Sequence, residues 1–350
     1  MGEPLEDPEL LLSVLAGFAA ANFLAFNGDA MRRIAEQFLG LAATQKATVP
    51  RIIGHRVMGM TVLHTGNLVQ GRAHYDQALA LADQLTTRLP ISERVLTLCF
   101  RCFALWLLGY PEAALVDLDH AHTEARKIGH ANDLLYALLF STWVHLVCYR
   151  NYSTAKRAAN ELVKLSDKTG ALVWRNQGMI YQGCVLAVTG KASEAVHMIS
   201  SGLSTRRSTG ATVTVPSFLT YLAIGYAGLG QFDGAWRCID EAIATIETTK
   251  ERWFEAEVHR VAGELALSSA EPERAKAERH LEKALAVARH QQAKSWELRA
   301  TASMARLWRD QGKCGWTHRA RLRFPRPFYF DGGYRPEPAR RAHQRPAFAN

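Results

Sequence analysis

Small residues recur in this chain every 40 to 43 positions, six times in succession. Each copy has a turn residue, usually glycine, followed five positions later by a small residue. With one exception, another small residue comes seven positions after that. The first small residues of the six copies are Gly71, Ala114, Ala155, Ala195, Ala235 and Ala277. Self-similarity at a fixed period of this length indicates a repeat architecture, in which each unit packs against its neighbours.

Each copy has the features of two helices joined by a tight turn. An apolar stretch of helical length comes before the turn, as at residues 94–108, and an amphipathic stretch with apolar residues at i, i+4 and i+7 follows it. The small residues allow close approach of the two helices. The turn glycines, which can adopt the positive φ that ends a helix, are Gly66, Gly109, Gly190, Gly230 and Gly312.

The fold class follows from this pattern. We predict an all-α protein, a right-handed α-solenoid of about eight antiparallel helix pairs over residues 1–312. The first pair is predicted as helix 8–26, a turn around Gly28 and helix 30–44. The eighth pair has only its first helix in register, at residues 294–313.

The apolar run at residues 10–26 resembles a signal peptide or a membrane span in composition. Acidic residues precede it, however, and 17 residues with Asn22 among them are short for a span. Six cysteines are too few for a disulfide framework, and Cys99 and Cys102 lie within an apolar helix without a second pair that could complete a zinc site. We therefore expect a cytoplasmic protein with buried cysteines, no membrane association and no metal.

The net charge of +9 is concentrated at the C-terminus. Residues 313–350 carry nine basic and two acidic residues, together with five of the twelve prolines, so residues 1–312 are close to neutral. A nearly neutral body offers no electrostatic footprint for a polyanion. Because proline is incompatible with the second helix of an eighth pair, we expect residues 313–350 to be disordered or translated out of frame, and we expect no nucleic-acid partner.

The turn glycine with small residues at +5 and +12 resembles the tetratricopeptide repeat, here in a long variant. Several runs go further, including "NFLAFNGDAMRRIAEQFL" (22–39), "GRAHYDQALAL" (71–81), "ERWFEAEVHRVAGELAL" (251–267) and "AKSWELRATASMARLWRDQGK" (293–313). These look like the C-terminal repeats of bacterial multidomain proteins in which a class III adenylate/guanylate cyclase domain and an AAA-type ATPase domain come first. The resemblance implies a regulatory or sensory module of a signalling protein.

The catalytic parts of that family have no counterpart in the sequence. No strand carries paired metal-binding aspartates. Gly190 and Lys191 lack both the glycine five residues earlier and the following Ser or Thr of a phosphate-binding loop. We therefore expect no enzyme activity and no cofactor. The sequence also departs from the family at residues 82–98 and after Gly312, and a shift of reading frame would explain both departures.

The recognition surface is expected on the concave side, which the first helices line. Those helices contain no Lys and only Asn176 as Asn, so a clamp for a chaperone C-terminal carboxylate is not expected. Binding should instead depend on apolar and aromatic contacts with scattered arginines. The candidate groove residues are Arg56, Arg101, Trp106, Trp143, Arg175, Tyr221 and Arg260.

Three classes of function are compatible with such a chain. The first is a non-catalytic module that binds a protein, a peptide or a ligand, or that contacts upstream cyclase and ATPase domains. The second is the regulatory repeat region of an ATPase-type transcription regulator. The third, an enzyme or nucleic-acid binder, is disfavoured by the nearly neutral body and by the missing motifs.

Overall fold

The computed structural model describes residues 8–45, 48–84, 92–269 and 271–312, and these residues form fifteen α-helices. The helices are α1 (Pro8–Leu24), α2 (Gly28–Gln45), α3 (Thr48–His64), α4 (Leu68–Asp83), α5 (Ser92–Leu107), α6 (Pro111–Ile128), α7 (Ala131–Trp143), α8 (Tyr152–Thr169), α9 (Leu172–Val188), α10 (Ala192–Ser208), α11 (Val215–Gly228), α12 (Phe232–Thr249), α13 (Glu255–Ser268), α14 (Arg274–His290) and α15 (Lys294–Asp310). A π-helical turn, Val144–Cys148, continues α7.

Each odd-numbered helix packs against the even-numbered helix that follows it, and each pair stacks on the next. The predicted α-solenoid of antiparallel helix pairs is confirmed, and the described residues contain no strand. The eighth pair is represented by α15 alone. The predicted tail, residues 313–350, lies outside the described residues, as do residues 85–91 of the segment that departs from the cyclase-linked family.

The repeated small residues lie where the helices of a pair cross. All six first small residues are buried, and an added Cβ at Gly71 would lie 2.8 Å from Cβ of Leu63. At Gly202, a second small position, the added Cβ would lie 2.2 Å from Cγ1 of Ile180. Any larger side chain at these points would force the two helices apart.

The turn between the two helices of a pair contains a residue with a left-handed backbone conformation. Gly66, Gly109, Gly190, Gly230 and Gly312 have φ between +74° and +96°. In the third of the six copies, Arg150 occupies the glycine position and has φ +52°. The turn therefore keeps its conformation even where the sequence does not supply glycine.

The first turn differs from the prediction centred on Gly28. Helix α1 ends at Leu24, Phe26 has φ +34°, and Gly28 is the first residue of α2. The Asn27 side chain accepts a hydrogen bond from the Ala30 backbone N–H, which satisfies a donor in the first turn of α2. Phe26 is buried against the His64 ring, and this packing stabilises its left-handed backbone.

The solenoid coils tightly enough for successive superhelical turns to bond to each other. The Leu24 carbonyl accepts from the backbone N–H groups of Thr212 and Val213, at 2.9 and 3.1 Å. The His64 carbonyl accepts from the backbone N–H of Arg252 at 2.7 Å. Two side-chain hydrogen bonds have a similar sequence separation. Thr212 Oγ1 donates to the Ala25 carbonyl, 187 residues away, and Ser295 Oγ donates to the Trp106 carbonyl, 189 residues away. One superhelical turn therefore takes between four and five repeats.

This closure converts the concave side into an interior. Phe103, Trp143 and Trp253 meet there edge to face, with ring centroids 4.4 Å apart for Phe103–Trp143 and 4.7 Å apart for Phe103–Trp253. The segment Ala131–Cys148 is long and apolar enough to cross a membrane, yet it contributes to this interior and 56% of it is buried. Its apolar character is accounted for by core packing.

Candidate binding site: the inner cavity

A cavity of about 420 Å³ remains inside the coil, between the first superhelical turn and the start of the second. Its walls come from the first helices α1, α3, α5, α7 and α9, from Arg206, and from residues Val213, Thr214 and Trp253. Most of the lining is aliphatic or aromatic. Ala16 and Ala20 of α1 border it and are exposed, so the cavity opens beside α1. This size and lining are typical of small-molecule sites.

One of the two charged groups that line the cavity is fully paired. The Arg56 guanidinium donates to both carboxylate oxygens of Glu93, at 2.6 and 3.0 Å. Burial acts to lower the pKa of Arg56, but the Glu93 carboxylate outweighs it and the pKa is raised. This charge is already neutralised by α5.

The other charged group, Arg206 near the end of α10, has only neutral partners among the described residues. Its Nη1 donates to Gln177 Oε1 and its Nη2 to the Val213 carbonyl, both at 2.6 Å. Its Nε is buried and has no hydrogen-bond partner. Only 5% of Arg206 is exposed, and this burial lowers the pKa of its guanidinium. The group nevertheless remains a cation at neutral pH.

Glu251 interacts electrostatically with Arg206, but its hydrogen bonds go to other groups. Glu251 accepts from the Thr214 backbone N–H at 3.0 Å and from Trp253 Nε1 at 2.7 Å. Thr214 has φ +65°, an uncommon conformation for a β-branched residue, and its N–H reaches both oxygens of Glu251 in this conformation. Burial raises the pKa of Glu251 to about 7.

His64 adds a neutral polar group to the wall. Its Nδ1 lies 2.8 Å from the Met60 carbonyl, so Nδ1 carries the proton and donates. Burial lowers the pKa of His64 to about 4. At neutral pH this imidazole is uncharged, and Arg206 is the charged residue of the cavity wall that has no ion-pair partner among the described residues.

The structure brings two of the predicted groove residues to this cavity, Arg56 and Trp143. Trp106 and Tyr221 are buried but do not line it. Their recognition role remains a prediction.

The other three predicted arginines lie away from the cavity, in ion pairs. Arg101 donates to Asp117 and Asp76. Arg175 pairs with Asp167 on the surface, and Arg260 belongs to a buried ion network with Glu257 and Glu264. The inward face of a tightly coiled solenoid is narrower than an open groove, so residues spread along the first helices do not all reach one site.

Cysteine and metal chemistry find little support in the geometry. Cys99 and Cys102 are buried, and burial raises the pKa of both thiols well above the ordinary value. Helix α6 contains a run rich in His and Asp at residues 117–122, and Asp117 of this run accepts hydrogen bonds from Arg101. Within the described part of the chain, no three His, Cys, Asp or Glu side chains are placed to hold a metal ion.

Arg206 is not among the predicted groove residues, because those all lie on first helices and Arg206 lies on the second helix α10. A signal was present in the helical register of α10. Arg206 follows Ala195, Ile199 and Gly202 at i+11, i+7 and i+4, so it belongs to the stripe that faces inward. A charged residue in that stripe marks a buried cation.

Comparisons with known proteins bear on the fold. No protein-family model matches the sequence, and the search of curated proteins gives no significant match. Among solved structures, a Rap protein complexed with Competence and Sporulation Factor aligns with a TM-score of 0.59 and 11% identity, over 78% of this chain and 75% of that one. At this identity the likeness concerns the fold alone.

Two further solved structures align less closely. One is a tetratricopeptide repeat protein from Parabacteroides merdae, with a TM-score of 0.43 and 16% identity over 83% of this chain and 98% of that chain. The other is a Signal Transduction ATPase with Numerous Domains from Pyrococcus horikoshii that carries a tetratricopeptide repeat sensor. Its TM-score is 0.46, with 12% identity over 91% of this chain and 50% of that protein.

Proposed function

We propose that this chain is a non-catalytic binding module that recognises a ligand or a short segment of a partner in its inner cavity. The observation that carries the proposal is the cavity itself, about 420 Å³ of mainly apolar space in an otherwise closely packed interior. Five first helices from five different repeats contribute to its wall. An occupant would therefore contact several repeats at once and would bias the angles at which they stack.

The solved Rap protein gives this proposal its structural precedent, since it has a similar fold and was solved with Competence and Sporulation Factor bound. In the present chain we place recognition at the cavity because backbone hydrogen bonds and aromatic packing between the superhelical turns close the coil around it.

We further propose that the module serves a cytoplasmic signalling protein of the cyclase and ATPase kind, without a nucleic-acid partner. The support is the sequence resemblance of residues 22–39, 71–81, 251–267 and 293–313. The alternative is the regulatory region of an ATPase-type transcription regulator. Gene context separates the two, because a cyclase or ATPase coding region next to this one supports the first and a helix-turn-helix coding region supports the second.

An uncharged apolar dye tests the cavity directly. We expect N-phenyl-1-naphthylamine to bind the protein with a rise in fluorescence, and we expect Ala20→Trp to abolish this binding because the indole fills the space beside α1. Ala20 is exposed, so the substitution leaves the packed core intact.

The matched control is Ala113→Trp, at an exposed position of α6 outside the cavity. This variant should bind the dye as the unaltered protein does. Equal dye binding by all three proteins, with unchanged helix content in circular dichroism, would refute recognition in the cavity.

A further inference from the structure

The inward stripe of the second helices shows how unusual Arg206 is. Eleven residues after the first small residue of each copy, the six positions are Ala82, Ala125, Ser166, Arg206, Ile246 and Ala288. All six are at least nine-tenths buried. Five of them carry small or apolar side chains that suit the contact between helices, and one carries a guanidinium.

A guanidinium at this buried position costs free energy of folding unless its charge has a binding partner. A buried cation loses its hydration and needs a counterion or a full set of acceptors. Arg206 has two neutral acceptors, and Nε remains without a partner. The Phe218 ring, whose centroid lies 5.7 Å from the guanidinium carbon, adds a cation–π contact but no hydrogen-bond acceptor.

The cavity wall offers no acid that could neutralise this cation. Its lining includes Arg56 and Arg206 but neither Asp nor Glu. Glu93 neutralises Arg56, and Glu251 is held by Thr214 and Trp253. Glu251 interacts electrostatically with Arg206 but forms no ion pair with it. The described wall is therefore mainly apolar with one cation that lacks an ion-pair partner, and a ligand that complements it has an apolar body and one negative charge.

We propose that the cavity takes a small organic acid, an apolar body bearing one carboxylate, and that Arg206 binds this carboxylate. The inference rests on the proposed function, because it names the ligand class of the same cavity. A carboxylate would supply acceptors for the guanidinium N–H groups of Arg206 that Gln177 and Val213 leave unused. Charge-assisted pairs of this kind are about twice as strong as neutral hydrogen bonds.

Displacement of N-phenyl-1-naphthylamine by decanoate and by decanol tests the carboxylate on the unaltered protein. The two probes share their alkyl chain and differ in charge, and decanol is the more apolar. We expect decanoate to displace the dye at a concentration about 10- to 100-fold lower than decanol at pH 8. Displacement at equal concentrations, or more readily by decanol, overturns the inference and leaves the proposed function standing.

Arg206→Met then assigns the effect to this residue, and Arg207→Met is its matched control. Arg207 is the next residue of α10, is exposed and pairs with Glu241 on the surface. R206M should lose the preference for decanoate, and R207M should keep it. Retention of the full preference in R206M overturns the role of Arg206. Should R206M not fold, Arg206→Lys replaces it. This variant should still prefer decanoate to decanol, but by a smaller factor than the unaltered protein.

Both a free acid and the C-terminus of a short apolar peptide carry such a carboxylate. N-acetyl-leucyl-leucine and its C-terminal amide distinguish these sources when compared with decanoate and decanamide. We expect the decanoate–decanamide pair to show the larger difference, because the cavity is enclosed by five helices. No binding of any probe, in a protein that also fails to bind the dye, would remove the proposed function together with this inference.

Discussion

At the scale of single residues, the notable feature is a pair of buried ionisable groups that do not bond to each other. Glu251 accepts from Thr214 N–H and Trp253 Nε1, while Arg206 donates to Gln177 and Val213. Both groups secure the segment between α10 and α11 that forms one wall of the cavity. Because Glu251 is desolvated, its pKa rises to about 7, and its carboxyl group is partly protonated at neutral pH.

This pKa predicts a pH dependence of stability with a definite sign. The folded pKa of about 7 lies above the ordinary value of 4.5, so between these pH values the folded chain holds a proton that the unfolded chain has released. The contribution of Glu251 to stability is therefore lost as pH rises through this window, by at most about 3 kcal/mol in total. Glu251→Gln cannot titrate, and it should gain stability relative to the unaltered protein from pH 5 to pH 8.

Urea unfolding of both proteins at four pH values measures this difference. His64 and His259, whose pKa values are lowered to about 4 by burial, titrate with the opposite sign but are present in both proteins. Glu247→Gln, at an exposed position of α12, serves as the control and should follow the unaltered protein. Parallel stability curves for E251Q and the unaltered protein would contradict the pKa assignment.

At the scale of elements, the small residues set how closely two helices pack. Gly202 of α10 crosses α9 at Ile180, where a Cβ would lie 2.2 Å from Cγ1. Ile180 is fully buried and cannot move its Cγ1 without disturbing its neighbours. At this crossing the structure therefore leaves no room for a Cβ on residue 202.

We predict that Gly202→Ala lowers the free energy of unfolding by about 1–3 kcal/mol, the usual cost of overpacking a core. Gly40→Ala, at an exposed position of α2 with no atom within 4 Å of the added Cβ, should raise it by about 0.5–1 kcal/mol through helix propensity. Guanidinium unfolding measures both changes. If G202A is as stable as G40A, the helix crossing is looser than the structure shows.

The elements were accessible from sequence because their determinants are local. A turn residue, a small residue five positions on and a large one four further define each helix pair, as at Gly66, Gly71 and Tyr75. Local patterns did not reveal the left-handed backbone of Phe26 and Arg150, where tertiary packing overrides residue preference. The helix pairs were predicted to within a few residues, and the exceptions are turns without glycine at the left-handed position.

The cavity could not be predicted from the sequence because its determinants are not local. Its walls depend on contacts such as that between His64 and Arg252, which are nearly 190 residues apart and follow no short-range pattern. The number of repeats per superhelical turn depends on small packing angles that accumulate along the stack. An open groove was therefore expected where the structure has a closed interior that holds a cavity, and Arg206 of that cavity lies on a second helix.

At the scale of the whole molecule, stability depends on how successive superhelical turns are joined. Arg299 of α15 donates to the Val147 carbonyl in the π-helical turn after α7 and pairs with Glu257 at 3.3 Å. Its guanidinium carbon lies 5.2 Å from the Trp106 ring centroid and 5.1 Å from that of Trp296. This one side chain connects α15, α13, α5 and the π-helical turn.

We predict that Arg299→Met destabilises the protein by about 2–4 kcal/mol, because it leaves the Val147 carbonyl unpaired and removes a buried ion pair. The effect should be local to the joint between turns, so backbone amides at residues 144–148 should exchange with deuterium faster while those of α9 and α10 stay protected. Arg309→Met, on an exposed face of the same helix, should change neither stability nor exchange.

These two variants distinguish a joined coil from a stack of independent pairs. In a stack held only by neighbouring repeats, loss of the contact between α15 and the π-helical turn would leave the exchange of residues 144–148 unchanged and would cost little stability. In the joined coil, R299M should also increase the radius of gyration in small-angle X-ray scattering, because the two superhelical turns separate. An R299M protein as compact and as stable as R309M would show that neighbour stacking alone sets the shape that encloses the cavity.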